Sequence, residues 1–267
     1  MIEQKINRFP LKKSRGLCYR ESGKGQALLL LHGIGSSSGG WIYQLEELGK
    51  RFRVIAWDAP GYEESEALKE EKPTAQHYAD ALHGLIDRLL LKDVVIVANS
   101  LGGLFAGAYA RAHGERVRSM FLISPTSGYG AANEALRSEK REGRLKMLVE
   151  LGPEGMAEKR SPTLFGSRIT PEALEIARWS QRRILPAGYR QAIHCLDQGV
   201  HVEDARHYRK PVLVVCGSED TVTPEAGCKL VAKAYPQGEY RSLPGLGHVS
   251  HIEDPATLNP MIADFAS

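Results

Sequence analysis

The 267-residue sequence predicts an α/β protein with a mostly parallel central sheet and helices on both faces of that sheet. Two observations lead to this prediction. Short apolar runs rich in Val, Leu and Ile recur along the chain, and amphipathic stretches separate them, as in sheets that are covered on both faces. The alternation stops once, between about Thr126 and Tyr208, where helical stretches punctuated by Pro and Gly contain no convincing strand.

The individual elements follow in chain order from these patterns. Two extended pieces near the N-terminus, Gln4–Phe9 and Leu17–Glu21, are predicted to be antiparallel edge strands. The buried parallel strands are predicted at five apolar runs: "ALLLL" (27–31), "VIAW" (54–57), "VVIVA" (94–98), "MFLIS" (120–124) and "PVLVVC" (211–216). Helices are predicted at five amphipathic stretches: Trp41–Lys50, Thr74–Leu89, Leu101–Arg111, Pro224–Ala234 and Pro255–Phe265.

The same pattern divides the chain into a core and an insertion. Residues 1–125 and 209–267 are predicted to form the α/β core, and residues 126–208 an all-helical cap over one edge of the sheet. From Asn133 to Ile193, 12 Lys and Arg stand against 8 Glu and no Asp, so this part of the chain is basic. A basic cap favours an anionic substrate, although a solvated helical lid has a similar composition.

The stretch "VVIVANSLGG" (94–103) ends a strand on a serine with small neighbours. Ser100 follows a buried strand and precedes a helical pattern, and Ala98 and Gly102 supply the small residues that a tight strand-to-helix turn needs. The N–H groups at the start of that helix favour a developing anion. This is the pattern of a nucleophile elbow, with Ala98 in place of the first Gly of G-x-S-x-G. The alternative is a strand followed by a helix that Ser100 merely caps.

A serine hydroxyl needs a base that an acid orients. Asp220 lies in "GSEDTVTP", directly after a predicted strand, where open α/β sheets place their sites. His248 lies in the Gly-rich turn of "LPGLGHVSHIEDP", so the order along the chain is serine, acid, histidine. Glu219 is a weaker alternative for the acid, and His251 is the rival base.

The developing oxyanion needs N–H donors, and "LLLLHGIGSSSGGW" (28–41) places a Gly-rich loop directly after a central strand. The backbone N–H groups of Ile34, in this loop, and of Leu101, after the serine, are the candidate donors. His32 is predicted to support the loop rather than to act as a second base.

Four features follow one another along the chain: the Gly-rich loop that begins at His32, the turn with Ser100, the loop with Asp220 and the turn with His248. With "WDAPGY" (57–62) after the second central strand, the chain resembles the α/β-hydrolase family over nearly its full length. The resemblance implies the α/β-hydrolase fold, with Ser100, Asp220 and His248 as the catalytic triad. It also implies that the N–H groups of the two candidate donors form the oxyanion hole, and that the helical insertion is the lid.

Two subgroups of that family are similar in detail. The first comprises esterases and lactonases like 3-oxoadipate enol-lactonase, which residues 211–255 resemble through "GSEDTVTP" and "GLGHVSHIEDP". This resemblance implies a serine hydrolase that cleaves a small carboxylic ester or enol-lactone through an acyl-enzyme.

The second subgroup comprises the carbon–carbon hydrolases of meta-cleavage pathways in aromatic degradation. Their elbow often carries Asn before the serine, as Asn99 does here, and "ITPEALEIARW" (169–179) resembles the cap helix whose arginine holds the substrate carboxylate. The resemblance implies that Arg178 has this role and that Asn99 and Val249 contact the substrate. However, Val249 stands where that subgroup has an aromatic residue, and Trp41-Ile42-Tyr43 stands where it has an Asn. Arg178 is equally well interpreted as one charge on a solvated helix face.

A function from another class stays open as well, namely a non-enzymatic ligand receptor on the same fold that keeps the triad for slow or single turnover. No metal or organic cofactor is predicted. Four cysteines without a CxxC pair argue against a zinc site and a disulfide framework. The net charge of +3 is too mild to suggest nucleic acid.

The expected partner is a small-molecule substrate, with a homo-oligomer left open. No apolar stretch approaches the ~20 residues of a membrane helix, so no membrane partner is expected. The N-terminal "MIEQKINRFPLKK" lacks the features of a signal peptide. The cytoplasm is therefore the expected location.

Overall fold

The computed structural model describes residues 2–267, and the strands of this part of the chain form one eight-stranded sheet. In chain order the strands are β1 (Lys12–Ser14), β2 (Leu17–Ser22), β3 (Ala27–Leu31), β4 (Arg53–Asp58), β5 (Val94–Asn99), β6 (Val117–Ile123), β7 (Val212–Gly217) and β8 (Gly238–Leu243). Their order in the sheet is β1-β2-β4-β3-β5-β6-β7-β8. The pairs β1–β2 and β2–β4 are antiparallel, and all the others are parallel. The predicted mostly parallel sheet, with the five apolar runs in its centre, is confirmed.

Helices cover both faces of this sheet. They are α1 (Ile2–Ile6), α2 (Ile42–Leu48), α3 (Ala75–Arg88), α4 (Leu101–His113), α5 (Glu134–Arg160), α6 (Pro171–Arg182), α7 (Pro186–Gln198), α8 (His201–Ala205), α9 (Glu225–Ala234), α10 (Ser250–Glu253) and α11 (Pro255–Ala266). Successive residues of a strand point to opposite faces. Ile96 of β5 therefore packs in the core that α3 and α4 cover, whereas Val95 and Val97 pack in the core that α2 and α11 cover.

The extended conformation predicted for Gln4–Phe9 is wrong. The chain forms the helix α1 there, and Ile6 is fully buried against Ile42 of α2 and Ile176 of α6. The physical reason is the spacing of Ile2 and Ile6, because residues four apart lie on the same face of a helix and can be buried together. The second predicted edge strand, Leu17–Glu21, is β2, which is antiparallel to its neighbours as expected. It is not at the edge, because it lies between β1 and β4, and β1 is the edge strand on this side of the sheet.

Residues 126–208, called the helical insertion below, lie between β6 and β7 and contain α5 to α8 and no strand. Helix α5 is interrupted at Gly152, whose φ is 61°, because Pro153 has no N–H and disfavours helical geometry in the residue before it. Asp197 of α7 accepts hydrogen bonds from Arg137 and Arg141 of α5 at 2.9–3.3 Å. Among residues 2–267, no helix is long and apolar enough to cross a membrane.

Candidate active site

Ser100 occupies the turn between β5 and α4 in a backbone conformation that L-residues rarely adopt. Its φ is 53° and its ψ is −115°. The surrounding backbone holds this conformation, because the Ser100 N–H donates to the carbonyl of Ile123 at 3.0 Å and the Ser100 carbonyl accepts from Gly103 at 3.0 Å. Helix α4 begins at the next residue, Leu101, and its first N–H groups have no partner within the helix.

The small residues near the serine are required by close backbone contacts. A Cβ on Gly102 would stand 2.4 Å from the carbonyl oxygen of Leu31 at the end of β3. A Cβ on Gly33, in the loop that follows β3, would stand 3.0 Å from the Cβ of Ser100. The serine turn and the Gly-rich loop therefore touch, which brings the segment of Ile34 to the serine.

His248 and Asp220 form a buried pair. His248 Nδ1 lies 2.9 Å from Asp220 Oδ2, and each residue is 5% exposed. The other carboxylate oxygen, Oδ1, accepts the N–H groups of Val222 and Thr223 at 2.8 and 2.9 Å. Burial by itself would raise the pKa of Asp220, but the His248 charge and these hydrogen bonds hold it below its ordinary value. Asp220 is thus an ionised acceptor that fixes the orientation of the imidazole.

Thr223 is a member of this cluster that the sequence interpretation missed. Its hydroxyl lies 2.9 Å from Asp220 Oδ2 and 3.0 Å from His248 Nδ1, and it reaches the carbonyl oxygen of Ser124 at 3.0 Å. The residue stands three positions after the acid in "GSEDTVTP", but no pattern in the sequence distinguishes it from Thr221.

The rival acid and base are placed elsewhere. Glu219 is exposed and accepts hydrogen bonds from the N–H and hydroxyl of Ser167 in the helical insertion, at 2.7 and 3.1 Å. His251 is buried in α10 against Trp41, with 4.2 Å between ring centroids, and its Nδ1 has no partner among residues 2–267. Burial, together with the nearby His248 charge, lowers the pKa of His251 to about 3. Of the two histidines, His248 is the one that an acid orients.

Asn99 connects the turn of Ser100 to residues 244–249, the loop that contains His248 and is called the histidine loop below. Its side-chain amide donates to the carbonyl oxygens of Ile123 and His248, each at 3.1 Å. The residue before the serine therefore ties β5 to the loop that carries His248. Its predicted contact with the substrate stays a prediction.

The loop after β3 is held from both sides. His32 is buried, its Nε2 accepts the N–H of Ala59 at 3.0 Å, and its Nδ1 therefore carries the hydrogen that it donates to the carbonyl of Gly33 at 2.9 Å. Burial lowers the pKa of His32 to about 4, so the ring is neutral. Further along, Asp58 accepts both the N–H and the hydroxyl of Ser38, at 2.7 and 2.9 Å. Through these contacts, His32 and Asp58 support the loop that contains Ile34.

A narrow cavity reaches this cluster. On the core side it is lined by the loop from Gly33 to Ser36 and by Asn99, His248 and Val249. On the side of the helical insertion it is lined by five residues: Arg160, Leu164, Ala177, Ser180 and Gln181. The predicted substrate contacts Asn99 and Val249 are thus at the cavity.

Arg178, the third predicted substrate contact, is not part of the cavity lining. Its guanidinium forms an ion pair with Glu158 of α5, with 2.8 Å between Nη2 and Oε2. Arg160 lines the cavity instead, and within residues 2–267 it has no ion-pair partner. Sequence reasoning singled out Arg178 from the resemblance of its helix and had no signal that distinguished Arg160 from the other arginines of the helical insertion.

Two further polar groups of the cavity have no hydrogen-bond partner in the described part of the chain. They are the hydroxyl oxygen of Ser180 and the side-chain oxygen of Gln181, both in buried residues of α6. Buried polar atoms are usually paired, so two unpaired ones in residues that line the cavity are unusual.

An imidazole held by a carboxylate, a serine on a strained turn and a helix N-terminus are the parts that acyl transfer to water requires. The alpha/beta hydrolase fold family matches residues 26–255 of the chain. The protein therefore belongs to the alpha/beta hydrolase fold family.

Several known proteins are similar to the chain over nearly its full length. A 2-hydroxy-6-oxo-6-phenylhexa-2,4-dienoate hydrolase from Burkholderia cepacia is 27% identical over 99% of this chain and 98% of its own length. Among solved structures, a thermophilic esterase from Thermogutta terrifontis with malate bound is 26% identical, covers 96% of both chains and has a TM-score of 0.83. The enol-lactonase from Burkholderia xenovorans LB400 is 23% identical over 96% of this chain and 99% of its own length. Its TM-score of 0.84 shows that the two chains share a fold.

Proposed function

We propose that the protein is a serine hydrolase that cleaves a small carboxylic ester or enol-lactone through an acyl-enzyme. The observation that carries this proposal is the buried pair of His248 and Asp220, in which Nδ1 lies 2.9 Å from Oδ2. Asn99 ties the loop of His248 to the strained turn of Ser100. In this proposal the helical insertion is the lid, and the enzyme works in the cytoplasm without a cofactor.

The proposed reaction has two halves. His248 takes the proton of the Ser100 hydroxyl as its oxygen attacks the substrate carbonyl, and Asp220 stabilises the imidazolium that forms. The N–H groups of Ile34 and Leu101 bind the tetrahedral oxyanion, and each is worth ~3 kcal/mol of barrier. The imidazolium then gives its proton to the leaving alkoxide, and a water molecule that His248 deprotonates hydrolyses the acyl-enzyme.

The substrate proposed for this site is an anion. Arg160 is the cationic side chain of the cavity, and the unpaired groups of Ser180 and Gln181 lie on the same side of it. The esterase relative with malate bound is a family member that holds a carboxylate ligand. A substrate carboxylate would pair with the Arg160 guanidinium in a partly desolvated site, where such a pair is stronger than on the surface.

A second candidate function is hydrolysis of a carbon–carbon bond in a 2-hydroxy-6-oxo-dienoate. The relatives from Burkholderia cepacia and Comamonas testosteroni, the latter 26% identical over 92% of this chain, carry names of that activity. Asn99 before the serine is a shared feature of that subgroup. Under this candidate Arg178 would leave Glu158 to hold the dienoate carboxylate.

The first experiment compares initial rates on a short-chain p-nitrophenyl ester and on a 2-hydroxy-6-oxo-dienoate, for the wild type and Ser100→Ala. We expect the ester to be preferred and the substitution to lower kcat by about 10⁴-fold or more without unfolding the protein. A folded Ser100→Ala protein with unchanged turnover would exclude the mechanism. Multiple turnovers at ~10 s⁻¹ distinguish an enzyme from a receptor that stops after about one event.

The arginines provide a matched pair for the substrate proposal, because both belong to the helical insertion. Arg160→Gln should raise KM about tenfold or more for a substrate with a carboxylate and leave KM unchanged for its methyl ester. Arg178→Gln should change neither value. The reverse pattern, with Arg178→Gln as the damaging substitution on the dienoate, would favour the carbon–carbon hydrolase.

A further inference from the structure

The helical insertion holds the backbone of His248, the proposed base. The N–H groups of His248 and Val249 both donate to the carbonyl oxygen of Leu164, at 2.8 and 3.3 Å. Leu164 is the last residue of a short 3-10 helix that follows α5. The segment that begins with this residue, 164–168, runs along the histidine loop. The position of His248 therefore depends on a segment that belongs to the insertion and not to the core.

Two glycines show how closely these segments approach. A Cβ on Gly166 would stand 2.7 Å from the carbonyl oxygen of Gly245 and 2.9 Å from the nitrogen of Gly247. A Cβ on Gly247 would stand 2.5 Å from the nitrogen of Gly166. Backbone meets backbone here, so the N–H groups of the two segments lie close together, and each needs an acceptor.

The carboxylate of Glu253, in α10, accepts these N–H groups from both sides. Oε1 accepts from Gly166 at 2.8 Å and from Arg168 at 3.3 Å, and Oε2 accepts from Gly247 at 2.7 Å. Glu253 is 5% exposed. One oxygen thus binds the insertion, and the other binds the residue directly before His248.

We propose that Glu253 is a positioning residue for His248, because it clamps segment 164–168 of the helical insertion onto the histidine loop. This inference rests on the proposed function, in which His248 is the base. The segment then moves together with the catalytic loop, so it is part of the active-site geometry and does not open with the rest of a lid. Glu219 adds a second tie, because its carboxylate holds Ser167 of the same segment to the loop of Asp220.

The substitution that tests the clamp is Glu253→Gln. The amide keeps the shape of the side chain, but it puts an NH₂ where one carboxylate oxygen accepts, so at least one N–H donor faces another donor. A displacement of the base by a fraction of an ångström to about 1 Å costs about 10- to 100-fold in rate. We expect kcat to fall by this factor, with KM changed less than about twofold.

Asp197→Asn is the matched control. Asp197 is also a nearly buried carboxylate with three hydrogen bonds to its oxygens, but it ties α7 to α5 and contacts no residue of the candidate site. Both variants are treated with a fluorophosphonate that labels the reactive serine. The amplitude of labelling measures the folded fraction, and the rate constant measures the reactivity of each folded molecule, which a loss of stability alone does not change.

The proposal is supported if Glu253→Gln lowers the labelling rate constant about tenfold or more while Asp197→Asn leaves it at the wild-type value. A wild-type rate constant in Glu253→Gln, or an equal fall in both variants, overturns it. If Glu253→Gln is not recovered folded, Glu253→Asp, which keeps the charge but withdraws the carboxylate by one methylene, enters the same comparison with the same outcomes. His248→Gln is measured in parallel, because full activity of that variant would overturn the proposed function itself.

Discussion

Asn99 donates its side-chain amide to the carbonyl oxygen of His248 at a distance of 3.1 Å. The two residues are far apart in sequence, and one of them directly precedes Ser100. A second hydrogen of the same amide goes to Ile123 at the end of β6. One planar group therefore fixes the serine strand, its neighbour in the sheet and the histidine loop in a single arrangement.

Replacing Asn99 by Leu should damage catalysis more than binding. The substitution leaves the buried carbonyl of His248 without this donor, which costs ~1–3 kcal/mol, whereas the carbonyl of Ile123 keeps the N–H of Ser100. We expect kcat to fall about tenfold or more with a smaller change in KM, together with a lower melting temperature. Steady-state kinetics at a temperature where the variant is fully folded provide the measurement. Wild-type kcat in the folded variant would mean that His248 keeps its position without this amide.

The hydroxyl of Thr223 should be important because it contacts both Asp220 and His248. Thr223→Val keeps the shape of the side chain and removes the hydroxyl, and Thr223→Ser keeps the hydroxyl and removes the methyl group. Hydrogen bonds to charged groups contribute ~1.5–3 kcal/mol, so kcat should fall about 10- to 100-fold in the valine variant. The serine variant should stay within about threefold of the wild type. Equal activity of the two variants would show that this hydroxyl has no part in orienting His248.

The sequence interpretation was correct where a local pattern reports a buried environment. The runs at β3 to β7 are apolar because both faces of a parallel sheet are covered, and this requirement is visible in the residues themselves. Ser100, Asp220 and His248 were predicted by the same logic, because each follows an apolar strand or an extended piece and the carboxyl ends of parallel strands share one edge. Their catalytic roles stay predictions.

The parts that the sequence did not reveal depend on which side chain meets which across the fold. Arg160 and Arg178 are both arginines of the helical insertion. Only the packing of α5 against α6 decides which of them forms an ion pair with Glu158 and which lines the cavity. Glu253 and Thr223 have partners that lie on other elements, so no periodicity marks them. The helix at Ile2–Ile6 was missed because five residues are too few for a pattern of period 3.6 to be distinguished from an extended segment.

Gly102 should tolerate no side chain. A Cβ there would lie 2.4 Å from the oxygen of Leu31, in backbone that cannot rotate away. Overpacking of this kind costs ~1–3 kcal/mol, so Gly102→Ala should unfold at lower urea concentration and lose activity. Gly143 is the matched control, because it also lies within a helix but has open space around its Cβ position. Gly143→Ala should be neutral or stabilising by up to about 1 kcal/mol. Chemical denaturation followed by circular dichroism compares the two, and similar midpoints would contradict the steric argument.

Asp58 should make the stability of the protein depend on pH. It is fully buried, and burial raises its pKa to about 7, although the two hydrogen bonds from Ser38 oppose the shift. Of the other charges that act on it, Glu63 raises the pKa and Arg20 lowers it. Between pH 4 and pH 7 the folded protein holds a proton on Asp58 that the unfolded chain has released. The contribution of Asp58 is therefore fully present below about pH 4 and is lost as the pH rises to about 7, with an upper bound of about 4 kcal/mol.

Asp58→Asn tests this sign, since the amide is neutral at every pH and its oxygen still accepts the N–H of Ser38. The melting temperature of the wild type minus that of the variant should decrease steadily between pH 4 and pH 8. Asp197→Asn should behave differently, because the pKa of Asp197 is held below its ordinary value by Arg137 and Arg141 against the effect of burial. That variant should be less stable than the wild type by a constant amount from pH 5 to pH 8. A difference for Asp58→Asn that is constant or grows with pH would show that the carboxylate is ionised in the folded state throughout. The loop that carries Ile34 would then be anchored by a charge and not by a neutral acid.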